Sequence, residues 1–193
     1  MNILICGVGG QGTVLASRLL ARIAMEKGLH ARTAETIGMA QRGGSVVSHV
    51  RTGREIFSPM IPKGSADVIL ALAPAEAMRS FSYLQPGGAM VVNTTPIQPV
   101  TATLNGKPYD ADVLLTSLQN TGAAVHLIDG RAVCDKCGSQ KVLNTVMLTA
   151  AAKLGLLDIT VDELRAAVLS GTKETFHALN LHAIDCVLKE VSL

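Results

Sequence analysis

Asn2-Ile3-Leu4-Ile5-Cys6-Gly7-Val8-Gly9-Gly10-Gln11-Gly12 decides the fold. Its first five residues form the apolar run expected of a strand buried on both faces. Gly7, Gly9 and Gly12 then satisfy G-x-G-x-x-G. Behind them Leu15, Leu19 and Ile23 recur at i, i+4, i+8, with Ala16 and Leu20 beside them. Arg18, Arg22 and Glu26 share the opposite face, so the segment is an amphipathic helix. Gly28 stands where a C′ glycine ends such a helix.

Outward from this unit, residues 30–36 read as a second strand, completing a βαβ-sized opening. Residues 45–52 alternate, with Val46, Ser48 and Val50 on one side and Val47, His49 and Arg51 on the other. Gly53-Arg54 reads as a turn into Glu55-Ile56-Phe57. Residues 67–72 read as a buried strand followed by a short helix over 75–81. Pro86-Gly87-Gly88 reads as a turn and 89–93 as the next strand. Pro96, Pro99, Gly106 and Pro108 make 94–108 a long connection with room for an edge hairpin. A helix over 110–119 and a last strand over 125–128 follow. The final third is helical. Val142, Val146, Ala150 and Leu154 form a stripe ending at Gly155, and Thr160-Val161-Asp162-Glu163 fits a capping box. Phe176, Leu179, Ala183 and Val187 line a closing helix. The fold class is therefore α/β, a three-layer Rossmann-like domain with a mostly parallel sheet and a helical C-terminal third. Residues 1–193 read as one domain, with the sheet core in 1–130 and the helices of 139–190 packed on it.

Composition removes several function classes. The chain has 193 residues, 48% of them hydrophobic, and a formal net charge of +2. A disordered tail is poorer in apolar residues and carries more net charge. A nucleic-acid binder shows a basic excess and aromatic platforms, whereas this chain has no tryptophan, two tyrosines and three phenylalanines. No apolar run approaches the roughly 20 residues of a membrane span. Met1 to Cys6 lack the basic flank of a signal peptide, so the expected location is cytoplasmic. Four cysteines do not make a disulfide framework at this length. Cys6 and Cys186 read as buried small hydrophobes.

The first glycine loop has two readings. Backbone N–H groups at a helix start face an anion, and glycine lets a ligand approach the backbone. Alternatively, the glycines only allow turn and helix to pack closely. Gln11 can bond a ligand or lock the turn. Glu35 is the acidic residue that a dinucleotide ribose would want after the second strand. A free-standing NAD- or flavin-binding domain is therefore one possible function.

The second unusual stretch is Gly38-Met39-Ala40-Gln41-Arg42-Gly43-Gly44-Ser45. Glycines bracket Gln41 and Arg42, and the Arg42 fork suits phosphate or carboxylate. The competing reading is a surface hairpin with a solvated arginine, or a loop that only docks a partner. Together, Gly7 to Gly12 and Gly38 to Arg51 resemble the gamma-type subunits of 2-oxoacid:ferredoxin oxidoreductases, most of all the indolepyruvate-type beta subunits. The resemblance continues through Ser58-Pro59, residues 66–71, Pro86-Gly87-Gly88, Asn93-Thr94, Asn144 and Leu179-Asn180-Leu181.

The resemblance implies an accessory role in oxidative decarboxylation. A 2-oxoacid and coenzyme A become acyl-CoA and CO2, with electrons passed to ferredoxin. It implies a catalytic alpha-type partner carrying thiamine diphosphate and iron–sulfur clusters, and ferredoxin as an indirect partner. This chain has neither a thiamine signature nor ferredoxin cysteine spacing, so no tightly bound cofactor of its own is expected. Coenzyme A is expected at or near Gly7, Gly9, Gly10, Gln11 and Gly12 and at Gln41, Arg42, Gly43, Gly44 and Ser45. No catalytic residue, no metal ligand, no nucleic acid and no membrane are expected.

Other residues read blandly. Cys134-Asp135-Lys136-Cys137 is a C-x-x-C placed just before a helix. It is either two thiols in a loop or a redox pair at a helix start. A metal site would need further ligands, and His126, Asp135 and His49 cannot be placed near it from sequence. His177 and His182 read as helix-surface or core histidines. His49 reads as outward-facing beside the second loop.

Overall fold

The computed structural model describes residues 1–36, 43–97 and 109–190. β1 (Asn2–Val8) is central in a six-stranded sheet with β2 (His30–Glu35), β3 (Ser45–Gly53), β4 (Ala66–Ala71), β5 (Leu84–Asn93) and β6 (Ala124–Ile128). The strand order is β2-β3-β1-β4-β5-β6. β1, β4, β5 and β6 pair in parallel, from Ile3↔Val68 through Asn93↔Ile128. β3 is antiparallel to both neighbours, pairing Val8↔Ser45 with β1 and Glu35↔Ser48 with β2. The sheet is mixed but mostly parallel, as the alternation of strands and helices predicts.

The period-2 geometry of β1 explains the layers. Ile3 and Ile5 point to one face, where Val50, Val68, Leu70 and Val91 join them. α1 (Thr13–Glu26) and the C-terminal helices cover this face. Leu4 and Cys6 point to the other, with Ile69, Met90 and Val92. α2 (Pro74–Ser80) and α3 (Ala111–Gln119) cover that side, through Ala77, Leu115 and Leu118. Asp110 caps α3 by accepting the N–H groups of Asp112 and Val113.

α1 ends as its sequence predicts. Gly28 has φ +74°, Leu29 N donates to Ala24 O, and Gly28 N donates to Met25 O, a Schellman arrangement. The remaining α-helices among the described residues are α4 (Gly130–Lys136), α5 (Leu143–Lys153), α6 (Val161–Gly171) and α7 (His177–Glu190). α5 is buried along nearly its whole length, which its weak amphipathicity fits. The capping box of α6 is present, with Thr160 and Glu163 each accepting the other's backbone N–H.

Several expectations change. β2 does not lie beside β1, because β3 pairs between them. Pro86-Gly87-Gly88 falls inside β5, where the register jumps from Ala66↔Leu84 to Val68↔Ala89. The turn is thus absorbed as a bulge, with Gly87 at φ +79°. Glu55 to Phe57 form no strand, and Phe57 is exposed. Phe176 lies in a single 3-10 turn before α7. Cys134 and Cys137 precede α5, but they sit at the C-terminal end of α4 rather than in a loop or at a helix start, and both are buried. Residues 98–108 of the expected long connection lie outside the described residues.

His49 is buried rather than outward-facing. Its Nδ1 accepts the Ile61 N–H at 3.2 Å, and its ring stands edge-on to Tyr83 with centroids 5.7 Å apart. Burial pushes its pKa below the ordinary value. The unfolded chain therefore takes up this proton more readily than the folded one. The contribution to stability is complete above the unfolded value of about 6.5 and is lost as pH falls below it. The urea midpoint is expected to drop between about pH 7.5 and about pH 5.5, and His49→Gln, which keeps an acceptor for Ile61, should flatten that drop. An unchanged pH slope in the variant would assign the proton uptake to another group.

Candidate functional site at the carboxyl edge of the sheet

The Gly7–Gly12 loop leaves the carboxyl end of β1 and enters α1 directly. Gln11 holds its shape. Its Oε1 accepts the Val8 N–H at 2.6 Å, and its Nε2 donates to Leu72 O at 2.8 Å. Of the two roles open to Gln11, locking the turn is the one the geometry uses. Leu72 continues β4, with its N–H on Cys6 O at 2.8 Å. Asn93, at the end of β5, also donates to Leu72 O, at 3.0 Å, and its Oδ1 accepts the Gly130 N–H at 3.1 Å. Two amide side chains thus tie the ends of β1, β4 and β5 to the start of α4.

The glycines divide by physical role. A Cβ on Gly7 would stand 2.8 Å from Gln11 Oε1 and 3.1 Å from Leu72 Cβ, so this position serves packing. Gly12 has φ +85°, and a Cβ there would stand 2.9 Å from Asn144 Nδ2. Gly10 has φ +103° and is exposed, with open space where a Cβ would project. Packing therefore explains Gly7 and Gly12, whereas Gly10 presents bare backbone to solvent. Gly12 provides no side-chain cap, and the N–H groups of Thr13, Val14 and Leu15 find no acceptor among the described residues. Such a helix start attracts an anion.

The second loop meets the first. Gly9 N donates to Gly44 O at 2.9 Å, and Ser45 is the register partner of Val8. Gly43 has φ +78° and is exposed. Ser45 Oγ donates to Glu76 Oε2 at 2.5 Å, and Arg79 pairs with Glu76 Oε1. Glu76 is almost fully buried in the first turn of α2, where its charge also suits the helix start. Gln41 and Arg42 lie outside the described residues. Cys6 is no nucleophile, since burial pushes its thiol up to about 12.

Sequence reasoning missed Glu76 and its pairing with Ser45. Pro74 at the helix start with an acid two positions later was the available signal. Glu35 is placed differently from a dinucleotide ligand. It lies on β2, two strand spacings or roughly 9–10 Å from β1, and accepts the Ser17 hydroxyl at 3.0 Å. In the dinucleotide-binding unit the corresponding strand lies directly beside the first.

Residues 2–190 match the family model described as pyruvate ferredoxin/flavodoxin oxidoreductase. The chain belongs to this family. It is similar to the indolepyruvate oxidoreductase subunit IorB of Archaeoglobus fulgidus, at 36% identity over 95% of this chain and 92% of the relative. The fold matches the gamma subunit of a keto/oxoacid ferredoxin oxidoreductase from Geobacter sulfurreducens, with a TM-score of 0.68 at 24% identity, covering 97% of this chain and 96% of the other. It also matches 30% of the 2-oxoglutarate:ferredoxin oxidoreductase of Magnetococcus marinus, over 97% of this chain, with a TM-score of 0.72 at 21% identity. That enzyme was solved with 2-oxoglutarate, coenzyme A and succinyl-CoA bound. The family is thus the one that the paired glycine loops resemble.

Proposed function

We propose that this chain is the gamma-type accessory subunit of a 2-oxoacid:ferredoxin oxidoreductase, of the indolepyruvate kind. The enzyme converts a 2-oxoacid and coenzyme A to acyl-CoA and CO2 and passes electrons to ferredoxin. Thiamine diphosphate and iron–sulfur clusters on an alpha-type catalytic partner supply the decarboxylation and electron transfer. Cys6, Cys134, Cys137 and Cys186 are buried and do not follow the cysteine spacing of a ferredoxin cluster. Among the described residues no helix is long and apolar enough to cross a membrane.

The observation that carries the reading is the Gly9 N–H bond to Gly44 O, which joins the two glycine loops at the start of α1. The open helix start and the bare Gly10 backbone offer N–H groups to a phosphate of coenzyme A. Arg42 would add a fork for the same group. Gln11, Asn93, Asn144 and Glu76 hold this rim without touching the ligand. The partner's active site is completed when this rim docks beside it.

Reconstitution with the partner is expected to restore 2-oxoacid-dependent dye reduction. In the assembled enzyme, Gly10→Val should raise the KM for coenzyme A roughly tenfold, the loss of about one charge-assisted contact. Arg42→Ala should act in the same direction. An unchanged KM in both variants would remove the coenzyme A assignment. Calorimetric binding of NAD(H) to the isolated chain would favour the dinucleotide alternative.

A further inference from the structure

We propose that Cys137, His182 and Cys186 form a binding site for a soft divalent cation of the zinc class. Cys137 ends α4, while His182 and Cys186 lie one turn apart on α7. Their ligand atoms all lie within 4.8 Å of one another. Cys186 Sγ and His182 Nε2 are 3.6 Å apart. Tetrahedral zinc, with bonds of about 2.3 Å to sulfur and about 2.05 Å to nitrogen, spans an S···N edge of about 3.6 Å. That edge is therefore already set, and the third ligand closes the face with a small side-chain movement.

The chemistry of the donors agrees with the geometry. Two thiolates and a neutral imidazole around a divalent cation carry no net charge, so little is lost by placing the ion against the helical layer. On binding, the two thiols release their protons to solvent and no electron is transferred. Both sulfurs are nearly buried, whereas His182 is exposed. The ion thus has an entry path on the solvent side, where the fourth position is open to water. Cys134, one turn before Cys137, lies fully buried in the core and is not part of this group. The C-x-x-C motif is therefore split between core packing and ligation. The histidine and third cysteine that complete it come from a helix about 45 residues further on, a span that no short spacing rule covers.

The test is a Co2+ titration of the full chain, stripped of metal and kept reduced. One Co2+ per chain should produce thiolate-to-cobalt charge-transfer absorption, and added Zn2+ should abolish it. Cys186→Ala should remove the band and Cys134→Ala should keep it. His182 is exposed, so His182→Ala should leave the circular dichroism unchanged while weakening binding roughly tenfold or more. Absence of the band at one equivalent in the native chain would overturn the proposal. So would a band that survives Cys186→Ala or depends on Cys134, or a Cys137–Cys186 disulfide in the chain as isolated.

Discussion

Replacing Gly12 by valine is expected to lower the melting temperature by roughly 10 °C, from a loss of about 3–5 kcal/mol. Two effects add. At φ +85° any L side chain is strained, and a β-branched one most of all. The new Cβ would also stand 2.9 Å from Nδ2 and 3.0 Å from Cγ of Asn144. Asn144 is 2% exposed and donates to Gly12 O, so it cannot swing clear without losing its bond and opening α5. Gly12→Ala should lie between the two, because alanine keeps the strain but fills less space. Because the helix start moves with Gly12, the valine variant should also lose most activity in the reconstituted enzyme. Scanning calorimetry decides the stability part. A valine variant melting within about 2 °C of the native chain would contradict the close approach of Gly12 and Asn144.

Asn93→Ala is expected to cost about 2–4 kcal/mol. Asn93 is 1% exposed and makes four hydrogen bonds, to Leu72 O and from Gly130 N, Thr95 N and Thr95 Oγ1. Truncation leaves the buried Gly130 N–H without its acceptor. Leu72 O keeps Gln11 as a donor, so the loss falls mainly on the start of α4. Asn93→Asp discriminates further. A carboxylate would face Leu72 O with no proton to donate, and burial would raise its pKa. The folded state would then bind the proton more tightly than the unfolded state. This variant should gain stability as pH falls through the raised value, opposite to the trend from His49. Chemical denaturation of the variant and the native chain at two pH values reads the sign, and a larger loss on acidification in the variant than in the native chain would refute the pairing of Asn93 with Leu72.

How far the sequence could be read depended on whether the deciding interaction was local. The helix that ends at Gly28 and the Thr160 capping box each involve neighbours a few residues apart. So does the apolar run of β1. All of these were legible from residue type and spacing. His49 was not, because alternation along β3 assigns a side chain to a face but does not say what covers that face. The loop carrying Ile61 and the ring of Tyr83 cover it. Glu76 was missed for a similar reason, since its partner Ser45 lies 31 residues away.

The sequence by itself determined the alternation of strands and helices, the glycine turn at the head of α1 and the family. These follow from backbone freedom at glycine and from hydrophobic period, both of which are properties of short segments. Only the tertiary structure decided that β3 enters antiparallel between β1 and β2. That insertion separates Glu35 from the first loop and brings Gly44 within hydrogen-bond distance of Gly9. The same is true of the meeting of Cys137 with His182 and Cys186. Strand order and helix packing are settled by burial over the whole chain, and no local pattern encodes which distant side chains that burial brings together.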